Sequence, residues 1–555
     1  MTAKLLRVGL IIGVLLALVV AVAYWQRANI ARAYLDLPPF TSGAQPVIEQ
    51  RVKMRDGIEL ATRVFLPDGK GPWPTLLVRD PYAFYEVLCG LFAHYDYACV
   101  HQDVRGRFES GGEWYPVIHE RDDGVDTLNW LLGQSWQNGN IATFGSSYVG
   151  IVQWAMVDLM PQEVKTLVAD VSHGDMYDIV YHNGHFIHGI MTHWMLGLVG
   201  GDTSVIEMAA FHPNSESSKA LLDTPQRWYN DYLANDDKSG EYWSGTPYSE
   251  MRSAHQSAHM PILMTGAWHD FFLDGQFEVF EALPRREESL FSIRTGSHAA
   301  SPDASPAQLI GDWLRLTLGW LQRHLRHDPS VSFPAPGYLL QNNADGSKRH
   351  YKQWPAAARE LVLHLDKLGD AGHCDGGALA SETPANKGGG VSFNYDPTNP
   401  APSRAGSFQF ETGVVDQGTD YCSRADVLSF ASDVFETPTT ISGSVRVALS
   451  FETSAPASAV VVKLMEHVVD GRVLNIREDI IAIDGSAGSA ADLTLNLTPI
   501  QWTLRPGSYL RLDISSSSYP IFNAHPNARG LWSRIVPSES ATQTLHSGRL
   551  EIPLE

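Results

Sequence analysis

Short apolar runs recur along residues 47–171, separated by polar turns and by stretches with helical spacing. Ile58–Leu66, Thr75–Val78, Ala98–Gln102 and Ile141–Phe144 predict strands, with a helix over Val125–Leu132 between the last two. Leu167–Val171, Ile262–Thr265 and Leu290–Ile293 continue the series. Strands interleaved with helices predict a mainly parallel sheet covered on both faces, an α/β domain over 45–175 and 261–330. Residues 176–260 break the pattern: they are aromatic, rich in histidine and helical in spacing, and predict a cap inserted between two sheet strands. Further on, Thr439–Glu452, Ala459–Glu466, Asp492–Leu497 and Tyr509–Ser515 are β-type runs between Gly, Pro, Ser and Asp turns. They predict a β-sandwich or jelly roll over 335–555, with 371–402 as a long surface loop.

The first residues follow another rule. Lys4 and Arg7 precede an apolar run of 18 residues, Val8–Trp25. As a helix it would be about 27 Å long, close to the thickness of a hydrocarbon core. Residues 1–34 are therefore read as an uncleaved anchor or as a signal peptide with Ala21-Val22-Ala23 as its cleavage site. The length of the run favours the anchor, and either reading places the globular part outside the cytoplasm.

With 555 residues the chain is long enough for two or three domains. A net charge of −21 argues against nucleic-acid binding, which needs a basic face. The four cysteines either form Cys89–Cys99 and Cys374–Cys422 bridges, each within one presumed domain, or remain buried thiols.

The strongest chemical signal is the strand Ile141–Phe144 running into Gly145-Ser146-Ser147-Tyr148-Val149-Gly150 and then into a helix. A nucleophile elbow needs this arrangement, with Ser147 at the apex and the Tyr148 amide at a helix N-terminus facing an oxyanion. The second glycine comes one residue later than in the G-x-S-x-G pattern. A serine nucleophile needs a base and an orienting acid, in chain order Ser, Asp/Glu, His. Asp270 follows the strand at Ile262–Thr265, and His298 follows the strand at Leu290–Ile293.

These motifs resemble the cocaine esterase (CocE/NonD) family of hydrolases, relatives of X-Pro dipeptidyl peptidases and α-amino acid ester hydrolases. The likeness runs through Arg55-Asp56-Gly57, Val78-Arg79-Asp80-Pro81-Tyr82, Gln102-Asp103-Val104-Arg105-Gly106-Arg107-Phe108 and Gln134-Ser135-Trp136 to the elbow. It continues through Gly266, Trp268 and Asp270 to Gly296-Ser297-His298, and more loosely through Arg424–Phe430 and Ser515–Pro520. The resemblance explains the shifted glycine. It implies a triad of Ser147, Asp270 and His298, and a Tyr82 hydroxyl beside the Tyr148 amide in the oxyanion hole. It also implies a helical cap, a C-terminal jelly roll and a small-molecule ester or amide as substrate.

No cofactor is expected. His182, His185, His188 and His193 are read as cap packing rather than metal ligands. Asp122, Asp123 and Asp126 are read as carboxylates near a helix start rather than a calcium site. Two rivals remain. An X-Pro or other aminopeptidase would need carboxylates for a substrate ammonium, for which Asp175 and Asp178 are the candidates. A non-catalytic protein would bind carbohydrate through its β-domain. The sequence leaves the oligomeric state open.

Overall fold

The computed structural model describes residues 27–201, 225–384, 389–407, 413–485, 489–535 and 539–555. The apolar run Val8–Trp25 lies outside them; among the described residues no helix is long and apolar enough to cross a membrane.

The frame is a ten-stranded sheet. Its strands are β1 (Ile48–Lys53), β2 (Glu59–Phe65), β3 (Trp73–Asp80), β4 (Ala98–Asp103), β5 (Gln137–Ser146), β6 (Val164–Asp170), β7 (Ile262–His269), β8 (Leu290–Ser297), β9 (Gly337–Gln341) and β10 (Lys348–Tyr351). Their spatial order is β1-β2-β4-β3-β5-β6-β7-β8-β9-β10. From β4 to β9 every neighbouring pair is parallel; β1, β2 and β10 join antiparallel. Helices on both faces bury the central strands, so β4 and β7 are buried at every position. The helices used below are α1 (Tyr85–Ala93), α2 (Glu120–Leu132), α3 (Tyr148–Trp154), α4 (His188–Val199), α5 (Leu273–Ala282) and α6 (Pro306–Leu325). The start of α6 is fixed by a capping box between Ser305 and Gln308, with Pro306 in its first turn. A Cys89–Cys99 disulfide ties α1 to β4, and a second bridge joins Cys374 to Cys422.

Among the described residues, the insertion after β6 holds α4, four shorter helices (Met176–Val180, Arg227–Leu233, Glu241–Ser244 and Tyr248–Ala254) and a hairpin, Tyr181–His182 with His185–Phe186. Its aromatic side chains, Trp228, Tyr232, Trp243 and Tyr248 among them, join one core with Tyr148 and Ile151 of α3 and with Val461 and Ile521 of the β-domain.

Beyond β10 the chain is β-rich. Among the described residues twelve strands form one connected sheet, and the last, Ala541–Leu554, pairs with Arg359–Asp366, Val391–Tyr395, Thr439–Gly443 and Arg446–Thr453. β9 and β10, within the stretch expected to open the β-domain, hydrogen-bond to the edge of the α/β sheet. Two expectations need correction. The presumed loop 371–402 contains the strands Gly377–Ala380 and Val391–Tyr395. The single run Thr439–Glu452 is two strands broken at Ser444-Val445.

The two domains meet beneath the end of β7. Arg477, fully buried on the strand Val473–Asp484, donates from Nη1 to the Trp268 carbonyl at 2.5 Å, from Nε to the Thr498 carbonyl at 2.9 Å and from Nη2 to the Pro499 carbonyl at 2.8 Å. Burial pulls its pKa down to about 9. His269 Nε2 lies 3.1 Å from the Ile476 carbonyl, which makes it the donor.

Candidate active site

β5 ends at Ser146, and α3 begins at Tyr148. Ser147 between them has φ 54° and ψ −128°, a conformation that L-residues adopt only under constraint. The constraint is local. Ser147 N–H donates to the Asp170 carbonyl at the end of β6 (3.0 Å), and the Ser147 carbonyl accepts from the Gly150 and Ile151 amides at 2.8 and 2.9 Å. A β-carbon on Gly145 would collide with Val149, and one on Gly150 with Ser172, so both positions need glycine. The later glycine of this elbow therefore serves the packing of α3 against the segment after β6.

The turn points the Ser147 hydroxyl at His298. His298 Nε2 is 3.1 Å from Ser147 Oγ, and His298 Nδ1 is 2.9 Å from an Asp270 carboxylate oxygen. Asp270 is buried, and its other oxygen accepts from the Phe272 amide at 2.8 Å, just before α5. Phe271 and Phe272 flank the imidazole, with ring centroids 4.9 and 5.6 Å away. A serine hydroxyl, an imidazole and a buried carboxylate in hydrogen-bonded series can move a proton off the serine and return it to a leaving group.

Two groups face the same space. The Tyr148 N–H is first in α3 and has no intrahelical acceptor. The Tyr148 ring is buried and its hydroxyl is engaged elsewhere, accepting from the Val117 amide and donating to Glu120. Tyr82, two residues beyond β3, is held by its own amide donating to Asp80 at 2.7 Å. Burial pushes its phenol well above the ordinary tyrosine range, so it stays protonated.

Tyr82, Ser147 and Tyr148 border a cavity. Its other walls are Ile151, Met176, Ile179, Ile190, Met191, Trp194, Phe271 and Phe272. Composition marks the insertion as aromatic, but only the fold shows that Trp194 and its neighbours on α4 roof the serine.

The structure also supplies residues that the sequence did not single out. Arg294 on β8 donates to the carbonyls of His298 (3.1 Å) and Ala300 (3.2 Å), gathering the loop that carries the imidazole. Asp170, at the end of β6, accepts from the Thr265 hydroxyl, and burial pushes its carboxyl up to about 6. Tyr85 fixes Ser146, accepting from its amide at 2.8 Å with the two hydroxyl oxygens 2.5 Å apart. Of the three, only Asp170 carried a signal in the sequence, its place at the end of a strand.

The remaining candidates lie apart. Lys238 binds Asp175 at 3.0 Å and Asp178 at 2.7 Å, and Arg252 reaches Asp175 at 3.1 Å. Arg55 holds Asp122 and Asp126, and Arg105 holds Asp123. His182 pairs with Asp479, His185 with the Asn183 carbonyl and His188 with Thr192. Among the described residues no group of His, Cys, Asp or Glu side chains is arranged to hold a metal.

Comparison with known proteins agrees with this architecture. Residues 56–300 match the X-Pro dipeptidyl-peptidase (S15 family) profile, and residues 333–548 match the X-Pro dipeptidyl-peptidase C-terminal non-catalytic domain. The chain is 24% identical over 551 residues to a cocaine esterase of Rhodococcus sp. (strain MB1 Bresler), covering 90% of this chain and 95% of that one. Among solved structures it resembles an aminopeptidase from a marine sediment Thaumarchaeota archaeon, at 19% identity and TM-score 0.77 over 93% of this chain and 97% of that chain. It resembles an α-amino acid ester hydrolase equally well, at 19% identity and TM-score 0.77 over 94% and 98% of the two chains. A CocE/NonD family hydrolase from Staphylococcus aureus shares the fold at 16% identity and TM-score 0.67 over 91% and 93%. An α/β-hydrolase-type domain joined to a β-rich C-terminal domain, with both matching profiles in sequence order, makes this chain a serine hydrolase homologous to cocaine esterase and to the X-Pro dipeptidyl peptidases.

Proposed function

We propose that the chain hydrolyses esters of uncharged, apolar carboxylic acids, with Ser147 as nucleophile, His298 as general base and acid, and Asp270 as the group that orients His298. Ser147 Oγ attacks the acyl carbon as His298 Nε2 takes its proton. The oxyanion accepts from the Tyr148 amide and the Tyr82 hydroxyl. Collapse expels the alcohol, which receives the proton from His298 and leaves an acyl-serine. Water then enters by the same route and releases the acid.

The observation that carries the substrate class is the wall of the cavity. Every residue that lines the cavity beside Ser147 is aliphatic, aromatic or a methionine, apart from the tyrosine hydroxyls and the serine itself. A free α-ammonium would lose its hydration there without a counter-charge, which is costly in an apolar site. The two carboxylates that suggested an aminopeptidase are neutralised by Lys238 and Arg252. The test compares kcat/KM for p-nitrophenyl butyrate and benzoate with that for alanyl-prolyl p-nitroanilide. The esters are expected to be preferred by at least about 100-fold, the discrimination a buried unpaired polar group provides. Faster turnover of the dipeptidyl anilide would overturn the assignment.

The Val8–Trp25 run supports a second proposal, that an N-terminal anchor holds the enzyme at a membrane with its globular part outside the cytoplasm. The two disulfides favour the same side, since such bonds persist in oxidising compartments.

A further inference from the structure

The oxyanion donor Tyr82 belongs to the α/β domain, yet its hydroxyl is bound by the cap. Trp194 on α4 donates its indole N–H to the Tyr82 hydroxyl oxygen at 3.0 Å. An indole nitrogen can only donate, so at this contact the phenol oxygen must accept. The phenol's single proton therefore points elsewhere, and among the described residues nothing else lies within hydrogen-bond range of that oxygen. The space left to it is the cavity shared with Ser147.

Trp194 has little freedom of its own. Its ring packs against Trp228 (4.9 Å between centroids), Trp114 (5.9 Å) and Tyr148 (5.9 Å). The Arg107 guanidinium lies over Trp114 at 5.2 Å and donates to the Pro81 carbonyl, next to Tyr82. At the other end of α4, Thr192 joins His188 to the Tyr229 hydroxyl, and the Gly189 amide donates to the Ile521 carbonyl of the β-domain. The indole is thus fixed by cap, α/β domain and β-domain together.

We propose that Trp194 is a positioning residue for the oxyanion site: its N–H occupies the acceptor side of the Tyr82 hydroxyl, turns the phenol proton toward the reacting carbonyl, and makes the catalytic power of Tyr82 depend on a docked cap. A donated hydrogen bond also polarises the phenol and makes it the better donor to a developing negative charge. This inference rests on the reading of Tyr82 as an oxyanion donor, and the test separates the two.

The experiment is a double-mutant cycle in the full chain, Trp194→Phe and Tyr82→Phe, followed by kcat, KM and the rate of fluorophosphonate labelling of Ser147. Melting temperature serves as the check on folding. Losing one neutral hydrogen bond that acts in the transition state should lower kcat about three- to tenfold in Trp194→Phe. In the Tyr82→Phe background the same change should alter kcat by less than about twofold, since there is no phenol proton left to aim. As Trp194→Phe also enlarges the cavity, a second variant places 3-benzothienyl-alanine at position 194, which exchanges the N–H for sulfur on the same ring frame. It should reproduce the loss in kcat with KM unchanged. Equal losses from Trp194→Phe in both backgrounds, or wild-type kcat in the benzothienyl variant, would overturn the coupling and leave the oxyanion role of Tyr82 standing. A silent Tyr82→Phe would overturn both.

Discussion

His182 Nε2 of the cap hairpin lies 2.7 Å from an Asp479 carboxylate oxygen of the β-domain, in a contact where both side chains are largely buried. Asn183 adds a second bond to the same carboxylate at 3.0 Å. Burial alone would lower the histidine pKa, but the charge and hydrogen bond of Asp479 outweigh it and raise the group above 6.5. A raised histidine contributes stability that is complete below its unfolded pKa and is lost as pH rises through the folded one. The melting temperature of wild type should therefore exceed that of His182→Gln most at pH 6, and the gap should narrow as pH rises above 6.5. A gap that widens with pH would refute the pairing.

Ser147 and Ser146 differ in what holds them. Ser147→Ala should remove turnover and fluorophosphonate labelling while the melting temperature stays near wild type. Ser146→Ala gives up only a side-chain contact with Tyr85, the amide bond to the Tyr85 oxygen being retained. Its kcat should stay within about tenfold of wild type, the value of one neutral hydrogen bond. Full activity in Ser147→Ala measured by ester hydrolysis would sink the assignment.

Asp270→Asn tests the orienting acid. The amide can still bond the Phe272 N–H, but it presents the wrong partner to His298 Nδ1 and favours the opposite tautomer. A fall in kcat on the order of 10⁴ is expected from the analogous change in serine proteases. A variant with kcat near wild type would move the acid elsewhere.

Tyr82→Phe keeps the ring and removes the hydroxyl. The loss should fall on kcat, on the order of 10²–10³, with KM nearly constant, because the donor acts chiefly in the transition state. Single-turnover kinetics with a chromogenic ester would show the same factor in acylation.

Removal of the first 26 residues should release activity from the membrane fraction and leave kcat/KM for a water-soluble ester unchanged within about twofold, because both sheets, the cap helices and Ser147, Asp270 and His298 all lie after residue 26. Native, full-length protein recovered from the cytosol would rule out the anchor.

The apolar runs revealed the α/β strands but cut them short where they approach the site. Ile262–Thr265 was visible as a strand, yet β7 continues through Trp268 to His269, and Leu290–Ile293 continues to Ser297. Apart from Trp268, which packs in the core, the residues that continue these strands are polar or small, so hydrophobicity fades as the strands approach the site. The strand Val473–Asp484 was missed for a related reason. Arg477, Glu478 and Asp479 interrupt its apolar pattern, and only the fold shows that they are buried against backbone carbonyls, Lys463 and His182. The elbow glycines, Asp270 and His298 could be picked out because short motifs place them at strand ends. Trp194 could not, since nothing local ties an indole in the insertion to a phenol 112 positions earlier.

The grip of Arg477 and Ile476 on the end of β7 bears on how such a protein can be taken apart. Trp268 and His269, the two residues before Asp270, are bonded to partners 209 and 207 positions further along the chain. A polypeptide ending at Tyr351 would contain the whole α/β sheet with Ser147, Asp270 and His298, but the turn that carries Asp270 would have lost its floor. The C-terminal half is therefore not an interchangeable module in the way a tethered binding domain is. Swapping it between relatives should work only where the incoming strand brings an arginine to the same carbonyl, and chimaeras made without that match should bind the serine label slowly however well each half folds.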